Sequence, residues 1–178
     1  MLYPMEFNSA WREAVSLGLT RRTRLYRDEI QLLCHIFRHT KSYLEVGVYD
    51  GLSAYLVGAC TEAKHITLVD INENKYIVTV LESLGINVET CWTRIEDLEL
   101  NRPHAWCLLD ADHSYEGTKA AYDKCFGLAT SIVLHDVEMP EVGKLFNELT
   151  GVKIVSSQTS YTSPDGKVLP QLGYGIVK

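Results

Sequence analysis

Residues 43–51 read Tyr-Leu-Glu-Val-Gly-Val-Tyr-Asp-Gly, an apolar run that ends in two glycines four positions apart, Gly47 and Gly51. The run has the composition of a buried strand, and the apolar residues after Gly51 recur at helical spacing. Glycine lets the backbone approach a ligand closely and adopt conformations closed to other residues. This stretch therefore predicts a strand, a ligand-binding turn and a helix in an α/β sheet.

A second apolar run, residues 65–69, ends in Asp70. A carboxylate at the carboxyl end of a strand can accept hydrogen bonds from both hydroxyls of a ribose. The dinucleotide fingerprint G-x-G-x-x-G is absent, because Val48 and Tyr49 follow Gly47. We therefore predict a nucleoside cofactor that is not a dinucleotide. For the glycine loop taken alone, an ordinary structural turn is the alternative.

Two motifs carry a resemblance to a known family. The pattern Glu45-x-Gly47-x-x-x-Gly51 resembles the first motif of the class I S-adenosylmethionine-dependent methyltransferases. Residues 110–116 read Asp-Ala-Asp-His-Ser-Tyr-Glu, which resembles a segment of a small subgroup related to the macrocin and catechol-type O-methyltransferases. The subgroup's next strand usually ends in His-Asp, which matches His135 and Asp136 here. The likeness spans about residues 28–178.

The resemblance implies a Rossmann-like methyltransferase fold with a seven-stranded, mostly parallel sheet in the order 3-2-1-4-5-7-6. Alternating strand and helix signals independently predict an α/β core. The turn signal at residues 164–166, Pro-Asp-Gly, predicts an antiparallel terminal hairpin between strands around residues 152–158 and 171–178. We predict a single domain overall, in which residues 1–40 form a helical extension, a lid or flank, and residues 41–178 form the cofactor-binding core.

S-adenosylmethionine is the cofactor that the resemblance implies. In the family, the glycine loop wraps the methionine part and the adenosine, and the acid that ends the second strand binds the ribose. The cofactor-binding residues expected from this carry-over are Glu45, Gly47, Tyr49, Gly51, Ser53, Asp70, Ile71, Thr93 and Asp110. The chain departs from the family after its third strand, where the family often has an acid near the adenine and this sequence has Trp92 and Thr93.

Four polar residues follow the fourth and fifth predicted strands, where ligands bind in open α/β sheets: Asp110, His113, His135 and Asp136. One interpretation is that Asp110, His135 and Asp136 hold a divalent cation, such as Mg²⁺ or Mn²⁺, that lowers the pKa of a substrate hydroxyl. The other is metal-free catalysis with His113 as the general base beside Asp110. The two can combine, and loop-capping or structural roles for Asp110 and His113 are the simpler alternatives.

The cation interpretation raises two points of chemistry. A histidine nitrogen disfavours a strict magnesium site and better suits manganese, iron or zinc. Neighbouring residues of a strand also point to opposite faces of the sheet, so His135 and Asp136 can reach one ion only if the strand breaks there.

Composition narrows the class of protein. With 178 residues and 46% hydrophobic content, the chain can bury one sizeable core. A net charge of −6 argues against a general nucleic-acid binder. The five cysteines lack C-x-x-C spacing, which indicates a reducing compartment, and no apolar stretch has the length of a membrane span. We therefore predict a cytoplasmic protein that does not contact membrane.

The combined prediction is an S-adenosylmethionine-dependent methyltransferase acting on the oxygen of a small-molecule or sugar-like hydroxyl, with or without a divalent cation. A partner subunit can complete the pocket, so a homodimer is compatible with the sequence. Two alternatives stay open: a metal-dependent, hydroxylase-like oxidoreductase and a non-catalytic nucleoside-binding module. Nothing in the sequence identifies the methyl acceptor.

Overall fold

The structure is a computed structural model that describes residues 4–21, 27–100, 102–150, 153–155, 161–162, 168–169 and 175–177. In chain order its elements are α1 (Phe7–Ser16), α2 (Arg27–Ile36), β1 (Ser42–Val46), α3 (Leu52–Cys60), β2 (His65–Asp70), α4 (Lys75–Ser83), β3 (Asn87–Trp92), β4 (His104–Leu109), α5 (Tyr115–Cys125), β5 (Ala129–Leu134), α6 (Pro140–Glu148), β6 (Lys153–Val155), β7 (Tyr161–Thr162), β8 (Val168–Leu169) and β9 (Gly175–Val177). A short 3-10 helix, Ile95–Asp97, lies between β3 and β4.

One mixed sheet organises the fold, with its strands in the order β3-β2-β1-β4-β5-β9-β6. The strands β1 to β5 run parallel, whereas β9 pairs antiparallel with both β5 and β6. The prediction of a Rossmann-like α/β fold with a mostly parallel sheet is thereby confirmed. The strand order agrees with the one that the resemblance implies, with β6 and β9 as its sixth and seventh strands.

The antiparallel carboxyl-terminal strands that the sequence predicts are present as β6 and β9, with two further strands between them in the chain. The described strands β6 and β9 have three residues each, within the predicted ranges. Between them, β7 and β8 pair with each other in a separate two-stranded sheet, with Thr162 opposite Val168. The Pro-Asp-Gly segment lies between β7 and β8, outside the described residues.

Helices cover both faces of the sheet, so the central strands are apolar on both sides. On one face, α2 and α3 pack over Tyr43 and Ile66 with fully buried side chains such as Ile30 and Tyr55. On the other face, α5 and α6 cover a second cluster of buried residues that includes Leu44 and Leu134. Full burial of one such apolar side chain contributes about 1.5–3 kcal/mol, so both layers stabilise the sheet.

The amino-terminal helices are integral to the first of these layers. Ala10 and Ala14 of α1 are buried, and so are Ile30 and Leu33 of α2, in the cluster that contains α3. Residues 7–16 and 27–36 therefore flank the core instead of standing apart from it. Among the residues that the structure describes, no helix has both the length and the apolar character needed to cross a bilayer.

Candidate active site

The register of the parallel strands brings the predicted site residues to one edge. Val46 at the end of β1 lies opposite Val69 of β2 and Leu109 of β4, and Leu109 lies opposite Leu134 of β5. The residues that come next along each strand are therefore neighbours at the carboxyl edge of the sheet. They are Gly47, Asp70, Asp110 and His135.

The glycine loop after β1 tolerates no side chain at either glycine. Gly47 has φ +93°, and a Cβ there would stand 2.1 Å from the carbonyl oxygen of Asp110. Gly51 has φ +82°, and its Cβ would stand 2.4 Å from Cγ1 of Ile77 in α4. Both positions combine a left-handed backbone with a contact that only hydrogen fits. The loop after β1 thus packs directly on the chain that leaves β4.

Asp70 ties this loop to β2. Its Oδ2 accepts hydrogen bonds from the backbone N–H groups of Val48 at 2.8 Å and Tyr49 at 3.1 Å. Its Oδ1 accepts from the N–H of Asn72 at 2.9 Å. A carboxylate offers about four acceptor positions, so these three bonds occupy most of its capacity. The role that the structure shows for Asp70 is to hold the loop, and the ribose contact stays a prediction.

Glu45 and Ser53 lie behind the loop, where they form a closed polar group. Glu45 is fully buried, and its two oxygens accept hydrogen bonds from Tyr43 Oη and Ser53 Oγ, both at 2.6 Å. Burial raises the pKa of the Glu45 carboxyl to about 8, although the two hydroxyl donors act in the opposite direction. Of the predicted cofactor-binding side chains, Tyr49 and Ile71 are exposed, at 65% and 70%, and Thr93 is half-buried.

Asp110, His113, His135 and Asp136 converge into one cluster, in which one candidate ligand atom from each residue lies within 4.8 Å of the others. His135 Nδ1 is 3.0 Å from Asp110 Oδ1 and 2.9 Å from Asp136 Oδ1. His113 Nε2 is 2.9 Å from Asp136 Oδ2 and 3.4 Å from Asp110 Oδ1. The sequence prediction assigned three of these residues to a cation; the structure places His113 with them.

The extended conformation of β5 ends before His135 and Asp136, which allows these two neighbouring residues to share the cluster. The strand ends at Leu134, and the N–H of His135 still donates to the carbonyl of Leu109 at 3.0 Å. Asp136 then has φ +59°, in the left-handed region that aspartate enters more readily than most residues. The backbone therefore turns there and points both side chains at one site. The geometric difficulty raised by the sequence does not arise.

Local hydrogen bonds explain the spacing of residues 110–117. Ser114 caps α5 by accepting the N–H of Gly117 at 3.0 Å, while Asp112 Oδ1 accepts the N–H of Ser114 at 2.8 Å. A Cβ on Gly117 would stand 2.2 Å from Asp112 Oδ2. These contacts form a tight turn between β4 and α5, and that turn carries His113 to the cluster.

The four side chains set each other's charges. The carboxylates of Asp110 and Asp136, 3.4 Å and 2.9 Å from its Nε2, raise the pKa of His113 to about 9. Burial disfavours charge on His135, but the nearby carboxylates outweigh it and hold its pKa well above the usual value. Burial likewise opposes ionisation of both aspartates, yet the histidines hold their pKa values below the usual range. A protonated His113 cannot accept a proton, so its predicted base role requires that proton to be displaced.

The nitrogen and oxygen atoms of the cluster are suitable ligands for a divalent cation. Within the described part of the chain, His113 Nε2 and Asp136 Oδ1 are buried and make no hydrogen bond of normal geometry, although charged atoms lie close by. A group of candidate ligand atoms gathered at one place is what an ion site requires. Two nitrogens and two carboxylates fit manganese, iron or zinc better than magnesium.

Glu29 in α2 is a site residue that the sequence prediction missed. Its side chain is 3% exposed, and its Oε2 lies 3.9 Å from Nε2 of His135. The available signal was a carboxylate on the apolar face of an amphipathic helix, one turn before Leu33 and next to Ile30. Acidic residues are rarely buried without a charged partner, so this position pointed to a site.

Comparisons with known proteins show the fold but no sequence family. No family model matches the sequence, and no curated protein matches it either. Solved structures do match. An S-adenosylmethionine-dependent O-methyltransferase from Thermotoga maritima is 12% identical with a TM-score of 0.64, covering 97% of this chain and 70% of that chain.

Two further solved structures have the same fold. An O-methyltransferase from Bacillus cereus, in complex with SAH, is 15% identical with a TM-score of 0.60, covering 100% of this chain and 94% of that one. An rRNA methylase from Streptococcus thermophilus is 15% identical with a TM-score of 0.62, covering 88% and 98%. The chain therefore has the fold of these methyltransferases.

Proposed function

We propose that this protein is an S-adenosylmethionine-dependent methyltransferase that methylates a hydroxyl oxygen of a small molecule or sugar-like metabolite, assisted by a divalent cation. One observation carries the proposal: the glycine loop touches the chain that bears the cluster, since the missing Cβ of Gly47 would meet the carbonyl of Asp110. A methyl donor on the loop and an acceptor at the cluster would thus be neighbours. Such positioning is a large part of catalysis in a two-substrate reaction.

The residues around the loop support a nucleoside cofactor. Asp70 stands at the end of β2, and the three backbone hydrogen bonds that it accepts leave some acceptor capacity for a ribose hydroxyl. Tyr49 in the loop and Ile71, next to Asp70, have exposed side chains, and exposed apolar or aromatic surface of this kind favours binding of an adenine ring. Glu45 joins the strand before the loop to the helix after it by accepting a hydrogen bond from Ser53.

At the cluster, Asp110 and Asp136 would supply the negative charge that retains a cation, and His135 would supply a nitrogen donor, with His113 beside the cation. The cation, when bound, would polarise the acceptor hydroxyl and lower its pKa. His113 is the most exposed of the four, with 34% of its side chain open to solvent, so it is the group best placed to meet the acceptor and receive its proton.

A small acceptor suits the charge of the chain better than nucleic acid does. The net charge of −6 disfavours the phosphate contacts that dominate nucleic-acid binding, although one structure of the same fold is an rRNA methylase. The five cysteines are free thiols, which supports a reducing, cytoplasmic setting. A homodimer that completes the acceptor pocket is part of the same proposal.

Calorimetric titration with S-adenosylmethionine tests the cofactor assignment. We expect the wild-type chain to bind with micromolar affinity and Asp70→Asn to weaken that affinity at least about tenfold, because the substitution removes the charge that serves the loop and the ribose. Glu73→Gln, an exposed acid three residues on, is the matched control and should bind as the wild type does. A folded wild-type chain that binds no S-adenosylmethionine refutes the proposal.

The nitrogen donors of the cluster favour one other candidate, a metal-dependent oxidoreductase of the hydroxylase type. Two histidines with carboxylates resemble the ligand sets of oxygen-activating iron sites. Oxygen consumption that depends on added iron, without methyl transfer from S-adenosylmethionine, would establish this function. Methyl transfer to a hydroxyl acceptor under anaerobic conditions would exclude it.

A further inference from the structure

The amino-terminal helix α2 places a carboxylate against the cluster from behind. Glu29 is 3% exposed and lies among the core residues Ile30 and Leu33. Burying a carboxylate is unfavourable unless charged or hydrogen-bonding groups compensate for the lost water. The group that Glu29 faces in the cluster is Nε2 of His135, at 3.9 Å.

The orientation of the His135 ring divides its two nitrogens between two surroundings. Nδ1 faces the candidate cation site, 3.0 Å from Asp110 Oδ1 and 2.9 Å from Asp136 Oδ1. Nε2 faces Glu29 on the other side of the ring. A histidine that binds a metal presents the lone pair of one nitrogen and keeps its proton on the other. For His135 the ligand nitrogen is then Nδ1, and the proton stays on Nε2, towards Glu29.

We propose that Glu29 is a positioning residue that holds His135 in the Nε2–H tautomer and so presents Nδ1 as a nitrogen ligand to a first-row transition cation. The inference rests on the proposed cation site and extends it to a helix outside the cofactor-binding core. A carboxylate behind a ligating histidine fixes the ring and increases the basicity of the ligand nitrogen. The extension at residues 27–36 therefore takes part in cation affinity as well as in packing.

Cation binding by the metal-stripped chain tests this role. Mn²⁺ is titrated by calorimetry into the wild type, Glu29→Leu and Glu29→Gln, with Asp28→Asn as the matched control, because Asp28 is an exposed acid on the same turn of α2. We expect Glu29→Leu to weaken Mn²⁺ binding by about 10–100-fold, the usual effect of losing such a partner. Glu29→Gln keeps an acceptor oxygen without the charge, so its loss should be smaller. Asp28→Asn should bind as the wild type does.

A spectroscopic measurement separates positioning from general damage to the fold. The visible absorption of bound Co²⁺ depends on the nitrogen and oxygen atoms around it, so we expect its bands to shift in Glu29→Leu while S-adenosylmethionine affinity stays unchanged. If Glu29→Leu does not fold, Glu29→Gln decides: weakened Mn²⁺ binding supports the inference, and wild-type affinity overturns it.

The outcomes distinguish this inference from the proposed function. Wild-type Mn²⁺ affinity and an unchanged Co²⁺ spectrum in the folded Glu29 variants overturn the role of Glu29 alone. A wild-type chain that binds S-adenosylmethionine but neither Mn²⁺ nor Co²⁺ overturns both the cation site and this inference, and leaves the methyltransferase assignment standing. A chain that binds Mn²⁺ but no S-adenosylmethionine refutes the methyltransferase and leaves Glu29 to be judged by its own variants.

Discussion

Two pairs of histidines lie at opposite ends of the parallel strands, and their pKa values are shifted in opposite directions. At the amino edge, His65 begins β2 and His104 begins β4, with their rings stacked 5.8 Å apart. At the carboxyl edge, His113 and His135 follow β4 and β5. The pKa values of the first pair are lowered, that of His104 to about 4, whereas those of the second pair are raised.

The neighbours of each pair account for the difference. Burial is the main cause of the low pKa values at the amino edge, and Nη1 of Arg102 lies 3.0 Å from each ring nitrogen of His65. Glu89, the acid nearest to His65, is a partly exposed partner at 3.4 Å. At the carboxyl edge, Asp110 and Asp136 outweigh burial. Burial alone lowers the pKa of a histidine and makes it neutral. Histidines that stay charged beside buried carboxylates therefore indicate a functional site.

Glycine-to-alanine substitutions at the two edges should give the largest difference in unfolding free energy. Gly47→Ala places a Cβ 2.1 Å from the Asp110 carbonyl at φ +93°, so we expect about 4 kcal/mol of lost unfolding free energy and no S-adenosylmethionine binding. Gly85, before β3 at the amino edge, has φ +75° but nothing within 4 Å of its missing Cβ. Gly85→Ala should therefore lose only about 1 kcal/mol. Urea unfolding measures both, and equal losses would contradict the contact between loop and cluster.

Asp136→Asn should remove negative charge from the carboxyl edge and leave the amino edge unchanged. Asparagine tolerates the left-handed backbone at this position, but it leaves His113 and His135 with one carboxylate fewer. We expect a loss of about 3 kcal/mol in chelator-treated protein near neutral pH, because a buried positive charge loses its partner. Asp97→Asn, at an exposed site, is the control and should change stability by less than about 0.5 kcal/mol. A wild-type stability for Asp136→Asn would show that the histidines are not charged.

The pH dependence of stability should have opposite signs at the two edges. His104 is neutral in the folded chain, so its contribution is complete above pH 6.5 and is lost as the pH falls towards 4, by about 3 kcal/mol. His113 has a raised pKa, so its contribution is present below pH 6.5 and is lost as the pH rises through about 9.

Urea unfolding of His104→Gln and His113→Gln in chelator, from pH 4.5 to 9.5, measures these slopes. We expect His104→Gln to flatten the acid side of the wild-type stability profile and His113→Gln to flatten the alkaline side. Each variant is the control for the other. Profiles that change on the same side would remove the distinction between the edges.

Arg102→Met should produce the smallest of these effects, and it separates the contribution of Arg102 to the pKa of His65 from that of burial. Arg102 is exposed, so solvent screens its charge, and burial remains the larger cause of the low pKa of His65. We expect the pKa of His65 to rise modestly, as followed by NMR titration of its ring protons. Arg94→Met, at another exposed arginine, should leave His65 unchanged. An unchanged pKa in Arg102→Met would assign the whole shift to burial.

The elements that sequence reasoning recovered are those whose signals are local. The glycines at 47 and 51 lie in the turn that their spacing indicates, and the apolar runs at residues 42–46 and 65–70 are adjacent parallel strands. Ser114 caps α5 through a hydrogen bond within one helical turn, from the N–H of Gly117. Backbone conformation and hydrophobic periodicity act over a few residues, so a sequence can be read for them directly.

The features that sequence reasoning missed depend on contacts distant in the chain. Glu29 meets His135 across more than a hundred residues, and nothing near Glu29 in the sequence marks that partner. The left-handed conformation of Asp136 lets it join His135, whereas a regular strand would separate them. The pairing of Val168 with Thr162 was also missed, because the sequence predicts only the two strands of the terminal hairpin.

By itself, the sequence determined the α/β class, the glycine loop, and the candidate residues Asp70, Asp110, His113, His135 and Asp136. Only the tertiary structure decided that Asp70 holds the loop, that Glu45 is sealed behind it, and that four residues with Glu29 behind them form one cluster. The physical reason is the separation along the chain of the residues that interact. Periodicity and turn chemistry are set by neighbours in the chain, whereas charge, burial and ligand geometry depend on which strand ends the folded sheet brings together.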